Sequence, residues 1–213
     1  MCVVIAAGLC AAFGPAGWAQ APIPDNASDR PSQEQASLPP WLSLSGEVRA
    51  RYETLDGQFR AGGSGGDQMV AFRSLLLAEA RIDAATVGLE LQDSRAYQDD
   101  AGTPLSTSIV NPLDVLQAYA RLEQSGFAGF ESARLTLGRQ TLSIGSQRVL
   151  ERVDMANVIF SYTGAVFRGT TGEGDELHLL AFVPTQRMPE DRASLADNAL
   201  SGDEEQWGRR AWG

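Results

Sequence analysis

Arginines recur at even spacings in two segments: Arg49 and Arg51 in LSLSGEVRARYETL (42–55), Arg73 and Arg81 in DQMVAFRSLLLAEARIDA (67–84). A guanidinium is planar and always charged, and it grips carboxylates and phosphates with two parallel hydrogen bonds. A row of them on one face would draw anions. Glu47, Glu53, Glu79 and Glu90 share that face. Arg–Glu pairs across strands are an ordinary way to fill such a face, so a structural reading stands beside the anion-binding one. Catalytic chemistry has no support. There is no Ser–His–Asp arrangement, no glycine-rich phosphate loop entering a helix and no catalytic carboxylate pair. The expectation is a non-enzyme without a cofactor. His178 stands alone as the only histidine and is read as a solitary polar residue, not a metal ligand. Asp99-Asp100 and Asp203-Glu204-Glu205 carry oxygens of the type Ca²⁺ takes, but they fall in loops, where charge runs are usually just solvated. No metal site is expected.

The elements that position these residues are strands. In 42–55, Leu42, Leu44, Val48, Ala50 and Tyr52 alternate with Ser43, Ser45, Glu47, Arg49, Arg51 and Glu53. Period two gives one oily face and one wet face. In 67–84, Val70, Phe72, Leu76, Ala78, Ala80 and Ile82 oppose Arg73, Glu79 and Arg81, with Leu75 and Leu77 as apolar exceptions. Further strands are predicted at 85–92, 114–124, 132–145, 158–169 and 175–183, and another begins at 205. In 114–124, Leu116, Ala118, Ala120 and Leu122 oppose Gln117, Tyr119 and Arg121. In 132–145, the apolar parity switches between Leu137 and Leu142, which predicts a bulge near Gly138. Segment 158–169 is apolar on both parities, so its faces stay unassigned.

The connections decide between a sandwich and a membrane barrel. Asp83-Ala84-Ala85, SGFAGFE and TTGEG are short; 56–66, 93–113, 146–157 and 184–204 are long. Short and long alternate strictly, as periplasmic turns and external loops do in outer-membrane barrels. The expected fold is all-β, an antiparallel up-and-down transmembrane β-barrel. The oily face then meets lipid, where a charge costs about 2–4 kcal/mol at the midplane, and the charged face lines the lumen. About eight strands are too few for a wide pore, so the expectation is the N-terminal portion of a larger barrel.

Residues 1–21 form an apolar run ending in Ala19-Gln20-Ala21, which reads as a signal peptide. Residues 22–40 read as a disordered linker, and 41–213 as barrel strands. Both cysteines, Cys2 and Cys10, lie in the leader, which leaves no thiol chemistry afterwards. The net charge of -10 argues against nucleic acid. Lysine is absent, so every cation except His178 is arginine.

The stretch LTLGRQTLSIGSQRVLERVDMANVIFSYTGAVFR (135–168) resembles the alginate-export family of outer-membrane proteins. The residues that carry the likeness are Gly138-Arg139-Gln140, Gly145 with Arg148, Asn157, and Tyr162-Thr163-Gly164. Thr163 departs from the Asp more usual in the family, and Gln117-Ala118-Tyr119 adds to the likeness. The resemblance implies a monomeric barrel that passes a polyanionic polysaccharide through an arginine-lined pore. On that reading the substrate path holds Arg49, Arg51, Arg73, Arg81, Glu47 and Tyr119, with Arg139 if a bulge precedes it. The partners are then outer-membrane lipid, lipopolysaccharide and an anionic saccharide or related anionic solute. A general porin of the same fold is the alternative. A secreted carbohydrate-binding β-sandwich is the third reading.

Overall fold

A computed structural model describes residues 2–9, 38–55, 67–100, 103–143, 152–206, 208 and 211–212. The strands are β1 (Cys2–Leu9), β2 (Leu42–Leu55), β3 (Asp67–Ile82), β4 (Ala85–Tyr97), β5 (Asn111–Phe127), β6 (Phe130–Gln140), β7 (Tyr162–Thr170), β8 (Glu176–Gln186), β9 (Glu204–Glu205) and β10 (Ala211–Trp212). One short helix, α1 (Arg192–Ala196), interrupts the segment after β8. Each strand from β1 to β8 pairs antiparallel with the next, and β9 and β10 both pair with β8. The sheet is an open up-and-down meander, as the alternation predicts. The expected leader supplies β1, which pairs with β2 from Cys2 opposite Leu55 to Leu9 opposite Val48. The expected cleavage site lies outside the described residues.

Tight turns join the strands at one end. Ala128 and Gly129 both hold positive φ, 51° and 88°, the mirror-image turn geometry whose twist suits a two-residue hairpin. Asp83 also takes a positive φ, 52°, between β3 and β4. The other end carries the long connections.

The two faces differ as the alternation requires. Met69, Ala71, Arg73 and Leu75 of β3 are buried, as are Thr86, Glu90, Gln92, Ser94 and Ala96 of β4. Their neighbours Leu76, Val87 and Leu89 are exposed on the opposite face, with Leu122, Leu137 and Leu179. The buried face is the inner one, because segments 152–161 and 187–203 of the long connections fold onto it.

Two strand details depart from the sequence reading. No register shift occurs at Gly138: β6 and β7 stay in step from Ser132 opposite Thr170 to Gln140 opposite Tyr162. Gly138 instead takes φ 116°, and the parity switch at Leu142 arises because the strand has already ended. The irregularities lie between β4 and β5: Glu90 faces Gln117 but Leu91 faces Val115, and a second shift falls between Gln92, opposite Asp114, and Ser94, opposite Asn111. At the first of them an extra residue enters β5. The extra residue is Leu116, which the alternation puts outside. The bulge turns it inward to pack with Leu75 and Ile159.

Candidate functional site

The inner face of β2 and β3 places like charges together. Arg49 stands opposite Arg73, and Arg51 opposite Ala71. Opposed cations destabilise a sheet unless something takes their hydrogen bonds. Three successive backbone carbonyls of the β6–β7 connection do so. Arg49 donates to the Asp154 and Ala156 carbonyls, both at 2.7 Å. Arg73 donates to the same two at 2.9 and 2.8 Å. Arg51 donates to the Met155 carbonyl at 2.9 Å. Glu47 pairs with Arg73 at 2.5 Å, and Glu53 pairs with Arg51.

The same segment is pinned on either side of those carbonyls. Arg152 donates to both oxygens of the buried Glu90, at 2.9 and 2.7 Å. Burial alone would lower the Arg152 pKa; Glu90 and Asp154 outweigh it and raise the value. Asn157 is buried and donates to the carbonyls of Phe72 at 3.1 Å and Ile109 at 2.7 Å. Its own carbonyl accepts from Ser94 Oγ at 2.6 Å. The Ile159 N–H donates to Gln92 Oε1 at 2.9 Å. Ile159 then fills the space against Leu75 and Leu116. This explains Leu75, an apolar exception on a wet face: it meets protein, not water.

Segment 187–203 covers the end of the sheet that carries the long connections. Leu195 of α1 packs with Ala96 and Val110. The Asn198 side chain exchanges two hydrogen bonds with the Ala96 backbone, 2.9 and 2.8 Å, as a neighbouring strand would. Asp203 accepts from Asn111 Nδ2 at 2.7 Å and from the Met188 N–H at 2.8 Å, and its own N–H donates to Asp114 at 2.6 Å. Burial first, and Asp114 second, push the Asp203 carboxyl up to about 7. The Arg187 guanidinium lies 3.7 Å from the Phe160 ring centre.

From β5 to β8 the inner face is organised differently. Across one row, Gly88, Tyr119, Gly138 and Gly164 stand side by side. Tyr119 lies over Gly88, where an added Cβ would come within 2.4 Å of the ring, and its hydroxyl reaches Glu79 on β3. Arg121 sits 3.7 Å from the same glutamate and 4.9 Å from the Tyr119 ring centre. Nearer the tight turns, Arg134 faces Arg168 across the β6–β7 pair, and Arg168 faces His178 across β7–β8. Arg134 pairs with Glu123 at 2.6 Å and Arg168 with Glu176; His178 lies 3.2 Å from Glu176. Arg81, largely exposed, reaches Glu123 at 3.6 Å. A cleft of about 170 Å³ opens between these side chains, lined by Arg121, Arg134, Arg168 and His178 together with Tyr119 and Gln117.

The residues read from the sequence thus fall into separate environments. Glu47, Arg49, Arg51 and Arg73 gather under the docked segment. Tyr119 and Arg81 lie on the inner face away from it. Arg139 shares its register row with Ala118 and Thr163 and is largely buried. It binds Glu205 at 2.9 Å and the Val115 carbonyl at 2.8 Å, with Asp114 at 3.6 Å. Gln140 is buried on the inner row beside Tyr162. Gly138 and Gly164 are paired neighbours, and Asn157 anchors the docked segment. Gly145 and Arg148 lie outside the described residues. Sequence reasoning passed over Arg134 and Arg168. Arg134 follows by strand parity from the Ala128-Gly129 turn, whereas Arg168 lies in 158–169, whose faces the apolar pattern leaves unassigned.

An antiparallel meander with exposed leucines and valines outside and arginines and glutamates inside is the wall of an outer-membrane β-barrel. No helix among the described residues is long and apolar enough to cross a membrane, a test that does not address strands. The family model described as alginate export matches residues 40–207, and the chain belongs to that family of outer-membrane β-barrel proteins. Neither a curated protein nor a solved structure matches the chain.

Proposed function

We propose that this protein forms an outer-membrane channel that passes anionic polysaccharide or related anionic solutes. The family assignment supports a role of the polysaccharide-export type. The observation that carries the anionic preference is the partition of charge between the two faces. Arg49, Arg51, Arg73, Arg81, Arg121, Arg134 and Arg168 occupy inner rows, whereas Leu44, Val48, Leu76, Val87 and Leu179 are exposed on the outer face. Arginines along a narrow, partly desolvated passage lower the energy of an entering anion, and several weak sites in series let a chain slide.

A general porin is the second reading. Each inner arginine has a carboxylate or a carbonyl partner close by, which weakens the field it projects. Planar-bilayer recordings of the full-length protein separate the two. Anion selectivity together with block by added polyuronate supports the polysaccharide channel. Equal passage of both ion signs without polyuronate block supports the general porin.

A further inference from the structure

The arginines of β2 and the first arginine of β3 are occupied. Arg49, Arg51 and Arg73 spend their donors on the carbonyls of residues 154–156 and on Glu47 and Glu53. Arg73 is 1% exposed. A solute reaching these groups would have to remove a segment that Asn157, Val158 and Ile159 bury in the wall. Among the described residues, the β5–β8 cleft has no such cover. Its lining holds Arg121, Arg134, Arg168 and His178 and, among the described residues, no carboxylate. Glu79, Glu123 and Glu176 pair with these arginines from its margin, Glu123 in an adjoining groove that Arg134 and Arg168 also line. The side chains of Arg134 and Arg168 remain about half exposed, at 48% and 43%. The rest of the lining is rich in hydroxyls and amides, among them Tyr119 and Gln117.

We infer that this cleft is the subsite that recognises the carboxylated sugar, and that Arg49, Arg51 and Arg73 serve the wall instead. The inference rests on the reading of the chain as an anion-passing channel. The chemistry fits one acidic sugar residue. Arg134 and Arg168, adjacent across the β6–β7 pair, present forked donors to one carboxylate. Tyr119 and Gln117 supply the alternating donors and acceptors that ring hydroxyls require. A volume of about 170 Å³ suits a single sugar unit sliding past and would not enclose a chain.

The test is polyuronate block of the full-length channel in a planar bilayer, comparing the parent with Arg134→Gln/Arg168→Gln. The half-blocking concentration should rise about tenfold or more, because two charge-assisted contacts are lost. A neutral oligosaccharide of equal length should show no such shift. Thr136→Glu, which places a carboxylate in the cleft lining, should weaken block at least as much while leaving both arginines in place. An anion-selective parent whose block is unchanged in both variants overturns the subsite and leaves the channel standing. A parent without anion selectivity or polyuronate block overturns the channel reading itself.

Discussion

Two halves of one sheet use the same residue for different ends. In β2 and the first half of β3, the guanidiniums of Arg49, Arg51 and Arg73 close on backbone carbonyls of the docked segment and lie buried or half-buried. In β5 to β8, they close on partly exposed glutamates and border an open cleft. Residue type and strand parity are the same in both. The distinction is what the donors meet. A carbonyl in a segment anchored by the buried Asn157, Val158 and Ile159 cannot be exchanged for solute without undocking that segment. A half-exposed carboxylate partner can, because exposed ion pairs hold only about 0–1 kcal/mol. The comparison shows that an arginine on a channel wall has to be read with its acceptor before it is given a transport role.

The sharpest way to break the comparison is Arg73→Ala. It strips the Asp154 and Ala156 carbonyls of two donors and leaves Glu47 without its cation. A loss of about 3–5 kcal/mol is expected, as for one partner removed from a buried pair. The temperature at which the folded barrel loses its compact gel mobility reads it directly. Next comes Asn157→Ala, which orphans the Phe72 and Ile109 carbonyls and should cost about 1–3 kcal/mol in the same measurement.

A third prediction uses pH. The Asp203 carboxyl titrates near 7, against an ordinary value of 3.8. Between those values the docked segment holds a proton that the undocked one lacks. Docking is therefore firmest at low pH and weakens as pH rises through about 7. Hydrogen exchange at the Leu195, Asp197 and Ala199 amides, all donors within the segment, should quicken from pH 5 to 8 after correction for intrinsic rates. In Asp203→Asn that dependence should disappear. The smallest effect belongs to the open half. Arg134→Ala should change stability by less than about 1 kcal/mol, since its ion pair is solvated. A large loss there would erase the distinction between the halves.

Much of the sheet was legible in the sequence because strand alternation is a local property. The span 42–55 is β2 from end to end, and the inner parity of Glu47, Arg49, Arg51, Arg73 and Tyr119 follows from period two alone. What failed was decided at a distance. Leu116 turns inward because a bulge against β4 makes room and Ile159 fills it. Arg139 is held by Asp114 and Glu205, partners far from it along the chain, and no register shift occurs at Gly138. The docking of residues 152–159 rests on backbone carbonyls, which every sequence has, so no residue pattern announces it. Leu75 was its one visible trace.

The row of Gly88, Gly138 and Gly164 has a mechanical consequence. An added Cβ would meet the Ala118 carbonyl oxygen at 2.3 Å from Gly138, and the Ala181 carbonyl oxygen at 2.1 Å from Gly164. Such a glycine marks a close approach of a neighbouring backbone. Gly138 and Gly164 are paired on adjacent strands, and a methyl group at either would force those backbones to shift. The close fit of this part of the wall is therefore set by side chains that are missing.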